Sequence, residues 1–260
     1  MRDPVEGLTS TGLIRTGVDR AHIPDSYTAL LDRVVQRVRA EGSDISVYVY
    51  GSVATGQAQP PTSDVDVLTI DLPITAASAI GAALSAQFTH VCRGVEVAVG
   101  TAADFEGDDD KAYGGRVFLH HYCVHLAGPD HDHAQTGFPG DARAARGFNG
   151  DIAQHAQQWR DSVGSTEDDV LGRRIARKTL LAVAGLVSVH DSIWTTDRQR
   201  AASRWSQVEP DLAKDLTRLL EWATDRGTPD PSEISRILDT AVSPITIQFA
   251  DRIGLWSNSP

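Results

Sequence analysis

Short runs of β-branched and aromatic residues punctuate the first part of the chain. Such runs, bounded by glycine, proline and polar residues, are typical of strands. They predict three strands, at residues 45–50, 64–71 and 94–99. Apolar residues recur with the period of a helix over residues 25–42 and 74–87. Strands and helices are therefore expected to alternate in this region.

The pattern changes near residue 140. Residues 128–140 are rich in glycine and proline, which is typical of a linker, and helical periodicity dominates afterwards. Residues 116–126 are apolar with several histidines, and their pattern leaves strand or helix open. The predicted helices of the second half are 143–163, 167–191, 197–206, 210–225 and 231–253.

This arrangement predicts an α+β protein with two domains. The first, residues 1–140, would hold a mixed sheet with flanking helices. The second, residues 141–260, would be an all-α helical bundle.

Composition and charge narrow the class of protein. Of 260 residues, 41% are hydrophobic, yet no run approaches the roughly 18 apolar residues that span a membrane. Two cysteines, Cys92 and Cys123, are too few for a disulfide framework, which fits a reducing cytoplasm. The net charge of -11 makes nucleic acid an unlikely partner, because phosphates are bound by Lys and Arg, and it suits a cationic acceptor.

A glycine–serine turn followed by paired acids carries the candidate chemistry. Gly51 and Ser52 end the first strand, and N–H groups at such a turn can bind phosphate oxygens. After a loop at 57–63, the second strand begins with Asp64 and Asp66 two residues apart. Side chains two apart on a strand share a face, so these carboxylates repel each other unless a cation lies between them. Carboxylate oxygens of this kind suit Mg²⁺.

A third acid, Glu96, is the only polar residue in the third strand. Val95, Val97 and Val99 share one face, so Glu96 projects from the other. If this strand lies beside the second one, Glu96 joins the carboxylates and can hold a metal or act as general base. Two metal ions there would stabilise the attacking and leaving oxygens of a displacement at phosphorus.

The combination Gly-Ser-x-x-x-Gly, a short spacer and Ser-Asp-x-Asp resembles the signature of the DNA polymerase β-type nucleotidyltransferase superfamily. Here it comprises residues 51–56 and 63–66, with Glu96 matching the third acid of that family. The helical second half, with segments such as 194–197 and 202–205, resembles more loosely the helical domain of aminoglycoside adenylyltransferases.

The resemblance implies a division of labour among named residues. Glu96 would be the catalytic base, and basic residues of the helical domain would reach the triphosphate. The residues implied to hold Mg²⁺, with two ions expected, are Asp64, Asp66 and Glu96. Those implied to bind the nucleotide are Gly51, Ser52, Ser63 and Lys178, with Arg174, Arg177, Arg198 and Arg200 as further candidates.

Three functions stay open at this point. The favoured one is Mg²⁺-dependent transfer of a nucleoside monophosphate, with AMP from ATP favoured, to a hydroxyl of a small molecule such as an aminoglycoside-like antibiotic. The second has a macromolecular acceptor, as in a tRNA-modifying toxin-like or protein-AMPylating enzyme. The third is a non-catalytic nucleotide-binding module, although all three expected acids are present.

Overall fold

The computed structural model describes residues 5–224 and 226–257, and these form two compact units. The first unit contains residues 5–6 and 14–138, and the second contains residues 7–13 and the described residues from 139 onward. Within the described ranges, no helix is both long enough and apolar enough to cross a bilayer.

The first unit alternates strands and helices along the chain. Its elements are α1 (Asp25–Glu41), β1 (Ser46–Tyr50), α2 (Gly51–Ala54), β2 (Val65–Ile70), α3 (Ile74–Gln87), β3 (Val95–Gly100), α4 (Asp110–Tyr122) and β4 (Cys123–Ala127). The three predicted strands and two predicted helices are therefore confirmed to within about a residue at most ends. Residues 116–126, for which the sequence allowed either a strand or a helix, contain both, because α4 passes directly into β4 at Cys123.

The four strands form one mixed sheet in the order β3-β2-β1-β4. Strand β1 lies in the middle and pairs antiparallel with both β2 and β4. Strand β3 instead pairs parallel with β2, which requires a crossover connection, and α3 provides it.

The two faces of the sheet carry different cores, because side chains alternate between faces along a strand. On one face the valines of the strands pack with α1 and α3; examples are Val47, Val67 and Val95. On the other face Tyr48, Leu68 and Ile70 pack around Phe105 and Leu119. Asp66 and Glu96 have the strand parity of this second face.

The regular elements among the described residues of the second unit are helices, and an isolated bridge pairs Leu13 with Pro139. Its helices are α5 (Ala142–Asn149), α6 (Ile152–Ser162), α7 (Asp168–His190), α8 (Arg198–Val208), α9 (Ala213–Ala223), α10 (Pro231–Ile237) and α11 (Ser243–Arg252), with a π-helical turn at Leu238–Val242 between the last two. Helix α7 crosses the centre of this unit and contributes thirteen buried residues.

The prediction of one helix over 143–163 was wrong, because the helix is interrupted between α5 and α6. The break lies at Gly150, where an added Cβ would be 2.1 Å from Cδ1 of Trp256, so a side chain has no room. The helix predicted over 210–225 begins with a 3₁₀ turn at Pro210–Leu212, and position 225 lies outside the described residues. The α+β class with an all-helical second half is confirmed, while the domain division at residue 140 stays a prediction.

Candidate active site

One row of side chains crosses the whole sheet at the end where β1 finishes. In the strand register, Glu96 of β3 lies beside Asp66 of β2, Asp66 lies beside Tyr50 of β1, and Tyr50 lies beside Cys123 of β4. Residues paired in register project from the same face of a sheet. The structure therefore brings Asp66 and Glu96 together, and Glu96 is exposed while Asp66 is partly buried.

The backbone of Gly51 lies directly against the Asp66 carboxylate. Gly51 follows β1 with a φ of 75°, a conformation that side chains rarely adopt. An added Cβ would lie 2.3 Å from Oδ2 of Asp66, well inside van der Waals contact. Glycine is therefore required here both for the turn and for the approach to the acid.

The turn that contains Ser52 is held by its own backbone. The carbonyl of Ser52 accepts hydrogen bonds from the N–H groups of Gln57 and Ala58, at 2.8 and 3.0 Å. The first N–H groups of α2 have no partner inside so short a helix, which leaves them available to an anion. The Ser63 hydroxyl accepts a 2.9 Å hydrogen bond from the N–H of Gln59, so in this structure it closes the loop; its nucleotide role stays a prediction.

Asp64 takes a different position from the other two acids. Strand β2 begins at Val65, so Asp64 lies just outside the strand. Its carboxylate is ion-paired with Arg93, whose Nε donates to Oδ1 at 3.0 Å and whose Nη2 donates to Oδ2. Among residues 5–224 and 226–257, no group of three or more His, Cys, Asp or Glu side chains is arranged as a metal site.

The donor set nevertheless suits a divalent ion bound together with phosphates. Mg²⁺ usually takes one or two protein carboxylates and completes its shell with substrate oxygens and water. Asp66 and Glu96 supply two such carboxylates in register, and the Gly51 backbone lies against one of them. The guanidinium on Asp64 shows that a cation is accommodated there. The metal role of the three acids stays a prediction.

The pKa of Tyr50 reflects the negative charge of the neighbouring acids in this row. Burial raises the pKa of its phenol above the ordinary value, and the negative charges of Asp66 and Glu96 raise it further. Its ring packs edge-on against Phe118 at a centroid distance of 5.2 Å. Tyr50 is therefore a neutral hydrogen-bonding group beside two carboxylates at physiological pH.

Basic side chains converge on a cavity inside the second unit. The cavity has a volume of about 560 Å³, within the range of small-molecule pockets. Four cations line it, and the described residues at its wall include neither Asp nor Glu. These cations are Arg174, Arg177, Lys178 and Arg198. An aromatic pair, His155 stacked on Trp159 with ring centroids 5.5 Å apart, completes the wall.

Lys178 is less available to a ligand than the sequence suggested. Its Nζ lies 2.7 Å from Oδ1 of Asp151 and donates to the carbonyl of Phe148 at 3.1 Å. No ion pair with an acidic residue involves Arg174 or Arg177 among the described side chains. The candidate Arg200 is exposed and does not line the cavity.

Comparison with known proteins decides what the first unit is. Residues 31–73, which run from α1 through β2, match the family model of the nucleotidyltransferase domain. The first unit therefore contains a segment typical of a nucleotidyltransferase domain, which supports the resemblance to the DNA polymerase β-type superfamily. The chain is accordingly a nucleotidyltransferase enzyme, which argues against the non-catalytic alternative.

The fold of this nucleotidyltransferase is similar to a solved structure of the spectinomycin adenyltransferase AAD(9) from Enterococcus faecialis, with ATP and spectinomycin. The alignment has a TM-score of 0.52 and covers 85% of this chain and 98% of that chain. At 9% identity the likeness concerns the fold alone. No curated protein sequence matches the chain.

The contact between Gly51 and Asp66 makes a prediction for the nucleotidyltransferase domain. Gly51→Ala should lower transfer activity at least about tenfold, because the added Cβ displaces the Asp66 carboxylate, in addition to a backbone strain of about 1–3 kcal/mol. The measurement is initial rate together with thermal unfolding. Gly107→Ala is the matched control, since Gly107 also has a positive φ of 102° but no atom within 4 Å of its Cβ position. Equal losses of activity in both variants would contradict the prediction.

The histidine-rich segment of the nucleotidyltransferase domain has a structural role. His120 Nδ1 is 2.8 Å from Asp132, and His121 bonds both to the Thr16 hydroxyl and to the backbone N–H of Phe138. Burial, and then the neighbouring His120, lower the pKa of His121 to about 4, so it is neutral at pH 7. These contacts fasten residues 128–138 to α4.

Sequence reasoning missed two residues of the site. Tyr50 directly precedes the glycine turn, and this position was the available signal, whereas its pairing with Asp66 is visible only in the structure. Arg93 lies three positions before Glu96, and nothing in the local pattern distinguishes it from an ordinary surface arginine.

Proposed function

We propose that this enzyme transfers a nucleoside monophosphate, with AMP from ATP favoured, to a hydroxyl group of a small-molecule acceptor in a Mg²⁺-dependent reaction. The observation that carries the proposal is the register of Asp66 beside Glu96 on neighbouring strands, with the Gly51 backbone against the Asp66 carboxylate. Two carboxylates at the end of a turn with open N–H groups suit a metal-bound polyphosphate.

The residues of the site divide the proposed reaction among them, and Glu96 has two roles. The acceptor oxygen bonds to the α-phosphorus while the bond to the pyrophosphate oxygen breaks, and Glu96 accepts the hydroxyl proton. The N–H groups of Gly51 and Ser52 bind phosphate oxygens. Asp64 and Asp66, with Glu96 beside them, would hold Mg²⁺, which when bound neutralises the charge on the attacking and leaving oxygens.

An aminoglycoside-like compound is the favoured acceptor. The net charge of -11 suits a cationic molecule. The protein of similar fold was solved with ATP and spectinomycin, which supports both the nucleotide and the class of acceptor. The two buried, free cysteines fit a reaction in the reducing cytoplasm.

The acceptor screen is the direct test of this function. The purified protein is incubated with Mg²⁺, each labelled NTP and candidate acceptors, and pyrophosphate release is measured. Turnover with aminoglycosides and ATP supports the proposal. Labelling of tRNA or protein, with no turnover of small molecules, would assign the macromolecular acceptor instead.

We propose that the basic cavity binds phosphate groups of the nucleotide. Arg174 and Arg177 would then have the phosphate-binding role that the sequence analysis assigned to Lys178. Replacing both by glutamine should raise the KM for the NTP at least about tenfold, because hydrogen bonds to charged groups contribute about 1.5–3 kcal/mol each. The measurement is KM and kcat at saturating acceptor. Arg200→Gln, which removes an exposed charge outside the cavity, should leave KM unchanged. An unchanged KM in the double variant would remove the cavity from the nucleotide site.

A further inference from the structure

Arg93 is fastened beside Asp64 at two points. Its backbone N–H donates to the carbonyl of Ser63 at 3.1 Å, and its guanidinium engages both oxygens of the Asp64 carboxylate. The neighbouring Gly94 lies close as well, since a Cβ there would be 3.7 Å from Oδ1 of Asp64. The loop that leads into β3 therefore wraps around this one acid.

We propose that Arg93 is a built-in competitor of free divalent ions at Asp64. The proposal rests on the proposed function, because it takes Asp64 as a metal ligand. A guanidinium fork that uses both carboxylate oxygens is the strongest form of such a pair. A metal ion at Asp64 would share the carboxylate with this guanidinium, and two cations on one carboxylate repel each other.

Exposure makes this block reversible. The Arg93 side chain is 62% exposed, against 25% for Asp64, so solvent screens the pair and the guanidinium can turn away. A polyphosphate that arrives with the metal ion offers the guanidinium new anionic oxygens, so Arg93 leaves Asp64 more readily than it does for a free metal ion. The device therefore discriminates against free metal and favours the metal–nucleotide complex.

The arrangement places opposing functions on one short segment. Arg93 and Glu96 are three residues apart, and the backbone between them joins β2 through the bond from the N–H of Val65 to the carbonyl of Gly94, at 2.9 Å. The segment that supplies the proposed base thus also supplies the counter-ion of a proposed metal ligand. Arg93 acts through Asp64 and is a positioning residue.

Metal binding without nucleotide tests the proposal. Mn²⁺ is titrated into the full chain, and free Mn²⁺ is followed by electron paramagnetic resonance. Arg93→Gln should bind Mn²⁺ about two- to fivefold more tightly, the range expected when a solvent-exposed ion pair is removed. Arg37→Gln, which removes an exposed arginine on α1, should leave the affinity unchanged and controls for net charge.

The Asp64→Asn variant distinguishes the proposed metal site from the proposed competition by Arg93. It should weaken Mn²⁺ binding, and adding Arg93→Gln to it should cause no further change. If Asp64→Asn has no effect on affinity, the proposed metal site itself fails. If Asp64→Asn weakens binding while Arg93→Gln alone leaves it unchanged or weaker, the metal site stands and the competition by Arg93 is overturned.

Discussion

Asp66→Asn should lower kcat at least about a hundredfold, because a metal ligand that stabilises transition-state charge contributes several kcal/mol. Asp66 lies between Glu96 and Tyr50 in the sheet register and against the backbone of Gly51. Asparagine has nearly the same shape but no charge, so the fold should be retained. The measurement is pyrophosphate release at saturating NTP and Mg²⁺, beside a thermal unfolding curve.

The control for Asp66 is Asp32→Asn. Asp32 is an exposed acid on α1 in the same unit, and its replacement removes the same charge from the chain. Full activity in Asp32→Asn together with a large loss in Asp66→Asn locates the effect at the sheet row. An Asp66→Asn enzyme with more than about a tenth of the original kcat would be incompatible with a metal ligand at this position.

The second large effect is expected at Glu96. Glu96→Gln should reduce kcat by about 10²–10⁴, the usual contribution of a general base, while NTP binding changes little. Glu96 is exposed on the site face of β3, so glutamine should fit without repacking. The informative measurement is the separation of kcat from the dissociation constant of the Mg²⁺–NTP complex.

A control variant and an altered acceptor test whether the effect of Glu96→Gln is that of a lost general base. Glu106→Gln changes an exposed acid in the loop before α4 and should behave as the original protein. A stronger nucleophile in the acceptor, such as an amine in place of the hydroxyl, needs less help from a base and should narrow the difference between Glu96→Gln and the original. If Glu96→Gln loses NTP binding along with kcat, Glu96 acts mainly as a metal ligand.

Much of the first unit could be predicted because its signals are local. Alternating valines mark β3, and the same alternation sends Glu96 to the opposite face from Val95 and Val97. The pairing of β3 with β2 is not local, since the pattern of a strand carries no information about its neighbour. Only the structure shows that this pairing is parallel and aligns Glu96 with Asp66.

The position of Asp64 shows a second limit. The Asp-x-Asp spacing predicted two acids on one strand face, but β2 starts one residue later. A partner distant in sequence, Arg93, holds the Asp64 carboxylate at the strand entrance. Periodicity cannot reveal such a partner.

Lys178 shows the same limit in the second unit. The basic run at the start of α7 was visible, and the cavity that it lines depends on how α6 and α8 pack. The ion pair of Lys178 with Asp151 joins two helices across 27 positions, which no local pattern indicates. The interruption of the helix at Gly150 also depends on a residue distant in sequence, since Trp256 fills the space that a side chain would need.

Residues 7–13 make the helical unit discontinuous in sequence. Leu8 packs where a side chain on Gly140 would lie, next to Trp194, and the N–H of Gly140 donates to the carbonyl of Gly12. A fragment that starts at residue 139 therefore lacks part of its own packing, even though it retains every helix. A fragment that is meant to hold the second unit should therefore include residues 7–13 joined to the residues from 139 onward, because this unit is built from two separate stretches of the chain.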